Sequence, residues 1–293
     1  MTAKHKWRQV TVAGCGLIGS SFALALKRAQ LAERVLGWDT SASVLDQAAV
    51  LGVIDDVDDA FSVGDVSTSD LIYLATPVLE IIRFMRERIT LTKPGAIITD
   101  AGSTKRLVCR AAEKHLPPDR YFIGGHPIAG SHTSGPKHVR ADLFTGATYV
   151  LTTDNSEPEG EPFDRLFETL AALGARVKLM TAIDHDRALA LISHLPQLVS
   201  SALAKTVTEQ DDAAALLALA GPGYKDTTRL ADSSWSMWRD VLATNPAEIA
   251  TALDLIVEKL SSARDELNRI GAGDGSEFDL LRQLFKSGDR SRR

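Results

Sequence analysis

The chain has 293 residues, of which 44% are hydrophobic, and a formal net charge of −5 at pH 7. A chain of this length can bury two cores, so two domains are expected, and the acidic balance argues against nucleic acid as the main partner. Its two cysteines, Cys15 and Cys109, make neither a disulfide framework nor a CxxC pair, and no signal-peptide pattern or membrane-length apolar run is present, which predicts a cytoplasmic protein.

The first predicted elements are a strand, a glycine turn and a helix. Residues 10–13 form an apolar run typical of a buried parallel strand, and Gly14, Gly16 and Gly19 follow at GxGxxG spacing before a helical pattern. Gly14 would permit a tight turn, Gly16 would let a pyrophosphate approach the helix N-terminus, and Gly19 would let the helix pack closely on the strand. This pattern predicts a dinucleotide site that also includes Leu17 and Ile18; the alternative is a glycine turn that only joins strand to helix.

The second predicted strand, residues 34–38, ends at Asp39. A carboxylate at that place would accept hydrogen bonds from the adenosine ribose hydroxyls. Residues 40–42 are Thr, Ser and Ala and offer no cation to a 2′-phosphate. NAD is therefore predicted as the cofactor in preference to NADP.

Strand and helix patterns alternate to about residue 180 and are only helical afterwards. The fold class predicted is α/β, a Rossmann-type doubly wound sheet followed by an all-helical C-terminal domain. The expected division is residues 1–181 for the NAD-binding domain and 182–293 for the helical one. Further strands are predicted at 71–75, 96–100, 121–124, 148–151 and 175–179, helices at 78–89 and 247–270, and a surface loop at 154–162.

Polar residues follow two of these strands, where functional groups of such sheets are expected. Ser103 and Lys105 emerge from a glycine turn after one strand, and His126 follows a glycine pair after another. A histidine there can take a proton near neutral pH, as hydride transfer from an alcohol requires. One alternative is a histidine that satisfies local backbone groups. Another is a metal site with His132 and His138, although their spacing matches no usual ligand pattern, so no metal is predicted.

Six motif segments follow one another along the chain: GCGLIG at 14–19, Ala-Thr-Pro at 75–77, DAGSTK at 100–105, GHPIAG at 125–130, HDR at 185–187 with SHLP at 193–196, and GYKDTTR at 223–229 with MWRD at 237–240. In this order they make the chain resemble the prephenate/arogenate dehydrogenase family of tyrosine biosynthesis from about residue 7 to residue 285. The resemblance implies a homodimer joined through its helical domains, with the active site in the cleft between the two domain types.

The resemblance also implies a reaction and the residues that serve it. Members of the family oxidise and decarboxylate prephenate to 4-hydroxyphenylpyruvate with NAD. His126 would accept the proton of the ring hydroxyl, and Ser103 would be a second hydrogen-bond partner near that hydroxyl and the nicotinamide. Arg229 corresponds to the arginine that binds a substrate carboxylate. Thr76 and Pro77 match the segment that adjoins the cofactor.

Five further motif residues are substrate-binding candidates: His194, Gln197, His132, Trp238 and Lys225. His194 could instead pack within its helix, Trp238 could be pocket wall or core, and Lys225 could be solvated. Two of them depart from the common family pattern, because His132 stands where many members have an acidic residue and Gln197 stands where many have a histidine. His185 and Asp186 open a helix, which Asp184 or Asp186 is expected to cap.

Other functions stay open alongside prephenate oxidation. An arogenate or dual-specificity cyclohexadienyl dehydrogenase would share every motif. A 3-hydroxyacid dehydrogenase of similar design would be expected to carry a lysine on the first helix of the second domain, and residues 187–204 contain none. An NAD-sensing module would not need His126, Ser103 and Arg229 together.

Overall fold

The computed structural model describes residues 5–57, 66–129, 138–153, 160–272 and 278–288. Six strands form a parallel sheet in the order β3-β2-β1-β4-β5-β6. The strand order reverses between the first and fourth strands, and in open parallel sheets ligands bind at the carboxyl ends beside such a reversal. The strands are β1 (Trp7–Ala13), β2 (Ala32–Trp38), β3 (Asp56–Val57), β4 (Leu71–Leu74), β5 (Ile97–Asp100) and β6 (Tyr121–Ile123).

Helices cover both faces of this sheet, which is why its central strands are buried almost along their whole length. One apolar cluster includes Phe22, whose ring stacks on Tyr73 with centroids 3.8 Å apart. A second cluster, on the other face, includes Ile72 and Ile98. The helices of this half are α1 (Leu17–Arg28), α2 (Ala42–Val50), α3 (Val78–Glu87), α4 (Arg106–His115) and α5 (Glu161–Ala172).

The last three strands form a separate sheet, a division that the alternating sequence pattern did not predict. They are β7 (Gly125–Ile128), β8 (Thr148–Thr153) and β9 (Arg176–Thr181), with β7 antiparallel to β8 and β8 parallel to β9. The chain passes from β6 to β7 through Gly124 and Gly125. A Cβ on Gly125 would lie 2.5 Å from the carbonyl oxygen of Asp100, so the glycine lets this turn pass close to the end of β5.

Every described helix or turn after Thr181 belongs to a helical half, with a small buried cluster around Ala190, Ile249 and Ala252. None of its described helices, and none elsewhere in the described chain, combines the length and hydropathy of a membrane span. The elements are α6 (Ala182–Leu189), a π-turn (Ala190–His194), α7 (Leu195–Thr208), α8 (Ala213–Ala218), α9 (Pro222–Thr228), a 3₁₀ turn (Arg229–Asp232), α10 (Trp235–Thr244), α11 (Pro246–Gly271) and α12 (Asp279–Gly288).

Helix α6 begins differently from the sequence prediction. Its N-cap is Thr181, whose hydroxyl oxygen accepts the backbone N–H of Asp184 at 3.0 Å and whose hydroxyl donates to the Asp184 carboxylate at 2.7 Å. The expectation that Asp184 or Asp186 is the cap was therefore wrong. A threonine hydroxyl can both accept and donate, so the pair Thr181 and Asp184 forms a reciprocal cap.

The helical stretch that begins at α6 is not continuous. A π-turn separates α6 from α7, and Pro196 lies in the first turn of α7. Proline lacks an N–H and its ring collides with the carbonyl four residues earlier, so a regular α-helical register is interrupted there. The π-turn ends at His194, one of the site candidates.

Candidate active site

The glycine turn after β1 leaves space for an anion at the start of α1. Gly14 has φ of +89°, and a Cβ there would lie 2.5 Å from the Ala75 carbonyl oxygen, whereas a Cβ on Gly19 would lie 1.9 Å from the Gly14 carbonyl oxygen. A Cβ on Gly16 would meet no atom within 4 Å. Since the first turn of α1 also carries no acidic residue, its N-terminus suits the pyrophosphate of a dinucleotide.

Asp39 lies beside this turn and is bonded to it. One carboxylate oxygen accepts the backbone N–H of Cys15 at 2.9 Å, and the other accepts that of Ser41 at 2.9 Å. Each oxygen keeps a further lone pair that a ribose hydroxyl can use. Burial, with the charge of Asp39, raises the pKa of the Cys15 thiol to about 12, so Cys15 fills space as a protonated side chain.

A cavity of about 210 Å³ opens where an adenosine would extend from the turn. Trp38, Thr40 and Thr76 line it, together with Arg83 and Arg88. The two arginines come from the region of α3, so a prediction based on residues 40–42 alone missed cations near this end of the site. The Nε atom of Arg83 lies 3.0 Å from a carboxylate oxygen of Glu87, and this ion pair partly offsets the positive charge of the arginine.

His126 lies in β7, opposite Val150 of β8, and contacts the helical half directly. Its Nδ1 is 2.8 Å from Nε2 of His185, the first link between the two parts of the chain at this site. Burial, reinforced by the neighbouring His185 and Lys105, lowers the pKa of His126 well below its usual range. A partly buried imidazole of this kind is neutral at pH 7 and can accept a proton.

Asp186 is fully buried behind His185. The sequence predicted neither this burial nor the contacts of its carboxylate. Its Oδ1 lies 2.8 Å from Nδ1 of His185 and also accepts the backbone N–H of Lys105 at 2.7 Å. Its Oδ2 accepts the backbone N–H of Arg106 at 2.9 Å. Asp186 thus caps α4, a helix about 80 residues away along the chain, and the only sequence signal for this was the HDR segment of the family motif.

Lys105 is also fully buried, where it forms an ion pair with Asp100. The other oxygen of Asp100 accepts the backbone N–H of Gly125 at 3.0 Å, one residue before His126. Lys105 therefore emerges from the predicted turn without reaching solvent, because its ammonium group is committed to a buried carboxylate. Ser103 lies in the same turn with a partly exposed side chain.

His194 lies on the helical side of the same cluster. The side-chain N–H of Asn245 donates to the backbone carbonyl of Asp186 at 2.8 Å and lies 3.4 Å from Nδ1 of His194. Burial lowers the pKa of His194 to about 4. The Trp238 ring meets that of His194 edge-on at 5.9 Å, and its indole N–H is buried with no hydrogen-bond partner in the described part of the chain. That N–H is a donor which a ligand could use.

The remaining substrate candidates lie farther along the helical half. The amide nitrogen of Gln197 donates to the carbonyl oxygen of Leu230 at 2.7 Å, which ties α7 to the 3₁₀ turn that begins at Arg229. Arg229 and Lys225 are exposed. His132 lies outside the described residues. Among those residues no group of three histidine, cysteine or acidic side chains is arranged to hold a metal ion.

Two further contacts hold the halves together around this cluster. The hydroxyls of Thr104 and Thr244 are 2.7 Å apart, and the Asp240 carboxylate accepts the backbone N–H of Leu79 at 3.4 Å. A dinucleotide turn and a neutral imidazole, joined to a helical half, define a two-domain nicotinamide-dependent dehydrogenase.

The comparison with known families agrees in both halves: residues 22–179 match the prephenate dehydrogenase nucleotide-binding domain, and residues 181–286 match the prephenate dehydrogenase dimerization domain. The chain belongs to the prephenate dehydrogenase family and is an NAD-dependent oxidoreductase.

Individual relatives are similar over most of the chain. A prephenate dehydrogenase of Bacillus subtilis is 35% identical over 87% of this chain and 69% of its own length. A cyclohexadienyl dehydrogenase of Zymomonas mobilis is 30% identical over 98% of this chain and 95% of its own. The crystal structure of prephenate dehydrogenase from A. aeolicus with hydroxyphenyl propionate and NAD+ has a TM-score of 0.87 at 27% identity, covering 99% of each chain. That structure places NAD+ in a protein of the same fold.

Proposed function

We propose that the protein oxidises and decarboxylates prephenate to 4-hydroxyphenylpyruvate with NAD, a step of tyrosine biosynthesis. The observation that carries this proposal is the neutral, partly buried imidazole of His126 at the boundary between the nucleotide-binding half and the helical half. Prephenate has a ring hydroxyl whose proton must leave when C4 loses a hydride. One positioned base is enough for this, because loss of the ring carboxylate then restores aromaticity.

The residues of the glycine turn fit the cofactor. The N-terminus of α1 beside Gly16 would hold the pyrophosphate, Asp39 would hold the adenosine ribose, and Thr76 and Pro77 would adjoin the cofactor at the end of β4. When bound, NAD supplies the acceptor for the hydride from C4. The strand end that carries Ser103 would place that hydroxyl near the reacting carbon.

His126 accepts a proton from the substrate and later returns it to the product. It takes the proton of the C4 hydroxyl as the hydride departs, and the substrate becomes a ring ketone. The electrons of the bond to the ring carboxylate then move into the ring, carbon dioxide leaves, and the ketone oxygen becomes a phenolate. The proton held on His126 can return to that oxygen, so the base is restored within one turnover.

The substrate carboxylates require cations or donors from the helical half. Arg229 presents a planar guanidinium that can bind a carboxylate through two parallel hydrogen bonds. The indole N–H of Trp238, which has no partner among the described residues, and the imidazole of His194 would supply further polar contacts, and Lys225 and His132 are additional candidates. Gln197 contributes through the 3₁₀ turn, because its amide nitrogen is already committed to Leu230.

Arogenate is the second candidate substrate, since it differs from prephenate only in carrying an amino group in place of the side-chain keto group. The similarity to a cyclohexadienyl dehydrogenase over 98% of this chain favours some dual specificity. The purified protein should be assayed with prephenate and arogenate, each with NAD and NADP, with the aromatic product identified chromatographically. The highest kcat/KM is expected for prephenate with NAD. A preference for arogenate would select the second candidate, and no turnover of either would reject both.

The apolar exterior of the helical half supports a homodimer joined through that half. Val257, Leu260 and Leu267 of α11 are all about half exposed or more in the single chain, and they lie within about 80° of one another around the helix. Apolar surface of this extent in one element is a typical subunit interface. Cys15 and Cys109 are both unpaired, which fits the reducing cytoplasm that we propose as its compartment.

A further inference from the structure

Three side chains form an unbroken line of contacts that starts at the proposed base. His126 Nδ1 lies 2.8 Å from His185 Nε2, and His185 Nδ1 lies 2.8 Å from Asp186 Oδ1. His185 and Asp186 are both fully buried, so no bulk water competes for these contacts. A hydrogen bond between two neutral imidazoles needs one ring to donate and the other to accept. The direction of the line therefore decides which nitrogen of His126 is free.

Asp186 determines that direction. Each oxygen of its carboxylate accepts a backbone N–H group, Oδ1 that of Lys105 at 2.7 Å and Oδ2 that of Arg106 at 2.9 Å, so both oxygens act as acceptors. An ionised carboxylate has no hydrogen to donate, so Nδ1 of His185 must be the donor to it. In a neutral His185 the other nitrogen, Nε2, is then an acceptor. His126 must consequently donate from Nδ1, which leaves its Nε2 without a hydrogen.

We infer that His185, oriented by Asp186, is a positioning residue that holds His126 in the tautomer with hydrogen on Nδ1 and an unprotonated Nε2 directed to the substrate proton. The inference rests on the proposed function for the identity of that proton. It adds an orienting pair to the proposed base. When Nε2 takes the proton, the Nδ1 hydrogen remains donated to His185, so the ring changes charge without changing partner.

The charged and titratable groups around His126 suit a base that is neutral before the reaction. His185 faces it from α6, Lys105 from the turn before α4 and His194 from the π-turn, with Asp186 and Asp100 paired behind His185 and Lys105. Burial is the main cause that lowers the pKa of His126, and the charge of Lys105 adds to it. A neutral ring has two tautomers, and only one of them offers Nε2 as a base. The contact with His185 selects it.

The tautomer can be observed directly in the unaltered protein. Protein labelled with ¹⁵N in its histidines should be studied at neutral pH by long-range ¹⁵N–¹H correlation spectroscopy, which distinguishes ring nitrogens that carry a hydrogen from those that do not. The signals that disappear in His126→Asn belong to His126. We expect hydrogen on Nδ1 of His126 and none on Nε2. Hydrogen on Nε2 overturns the inference whether or not the protein oxidises prephenate. The expected tautomer in a protein that turns over no cyclohexadienol would instead reject the proposed function alone.

A matched pair of variants tests the role in turnover. In His185→Gln the side-chain carbonyl can take the acceptor place of Nε2, whereas in His185→Phe no acceptor remains. We expect kcat to fall about 10²-fold or more in His185→Phe and to stay within about tenfold of the unaltered protein in His185→Gln. Equal losses in both variants contradict the tautomer role.

The pH profile separates positioning from a merely structural role. A hydrogen bond that the Nδ1 hydrogen of His126 donates to His185 stabilises the protonated form of His126. His185→Phe removes the acceptor and His185→Gln keeps one, so the acid limb of kcat/KM should move to lower pH in His185→Phe and stay near its original place in His185→Gln. Acid limbs that move alike in the two variants show that His185 does not accept the Nδ1 hydrogen and overturn the inference.

Discussion

The two halves of the chain bury their apolar side chains to very different extents. The nucleotide-binding half has one large apolar cluster on each face of the parallel sheet, and few of its described large hydrophobic side chains are exposed. The helical half has a buried cluster of only three residues, and most of the exposed large hydrophobic side chains of the described chain belong to it, Ile192 and Phe285 at 72% and 81% among them. One half completes its core within a single chain, whereas the other leaves apolar faces that a second subunit can bury.

A charge placed on the exposed apolar face of α11 should have the largest effect of the variants that test this difference between the halves. Leu260→Glu should convert the dimer to monomer, because an unpaired carboxylate buried at an interface costs on the order of 3–5 kcal/mol. Turnover should be lost with the dimer. Sedimentation velocity and a prephenate assay at the same protein concentration would measure both effects.

The control is Thr251→Glu on the same helix. Nine residues separate the two positions, which places Thr251 about 180° around the helix from Leu260. This variant should remain dimeric and active. A dimer that persists in Leu260→Glu would show that α11 does not contribute its apolar face to the interface.

The next largest effect concerns the base at the boundary between the halves. His126→Asn should lower kcat by about 10²–10⁴ while the affinity for NAD, measured by isothermal titration, stays the same. Because the neutral imidazole is the active form and its pKa is lowered, activity of the unaltered protein should rise with pH through an ionisation below the usual imidazole range and be flat near pH 7. Exposed His138→Asn is the matched control, and near-normal turnover of His126→Asn would remove this histidine from the mechanism.

A smaller effect is the dependence of the free energy of unfolding on pH, which His194 should cause at the same boundary. His194 has a pKa of about 4 in the folded protein against about 6.5 when unfolded, so its contribution is complete above pH 6.5 and is lost as the pH falls towards 4. One pKa unit corresponds to about 1.4 kcal/mol, so His194 should account for about 2 kcal/mol of the stability lost between pH 7 and pH 5. Urea unfolding at a fixed protein concentration should show this loss reduced in His194→Gln and unchanged in His138→Gln. The same pH dependence in both variants would contradict the burial of a neutral His194.

The smallest effect tests the substrate side of the helical half. Arg229→Lys should raise KM for prephenate about tenfold, because lysine does not reproduce the two parallel hydrogen bonds of a guanidinium to a carboxylate. NAD affinity should be unchanged, since Arg229 lies outside the nucleotide-binding half. Arg264→Lys, on α11, makes the same exchange as a control. An unaltered KM for both prephenate and arogenate in Arg229→Lys would show that this arginine does not bind the substrate carboxylate.

Much of the nucleotide-binding half could be predicted from short segments, because local spacing carries the necessary physics. The three glycines predict a turn, and their positions in the structure have the close approaches and the open space that each predicted role requires. The order of strand and helix patterns was sufficient for the fold class, and the six motif segments were sufficient for the family. The boundaries of α11 differ from the predicted helix by only one residue at each end.

The separate second sheet, the π-turn and the cap of α6 were not predicted, because each depends on how distant segments meet. The partners of Lys105 were missed for the same reason, since a lysine at a turn is solvated unless the fold closes over it. Predicted roles in substrate binding for Arg229, Lys225 and His132 stay predictions.

The cofactor-binding turn, the fold class and the family could all be predicted from residue type and spacing, because each depends on short stretches of chain. The groups that surround the base could not be predicted in this way. His126 meets His185 across 59 residues, and Asp186 caps a helix 80 residues away. The direction of a hydrogen bond and the desolvation of a ring depend on such contacts, and both are set when the two halves pack against each other.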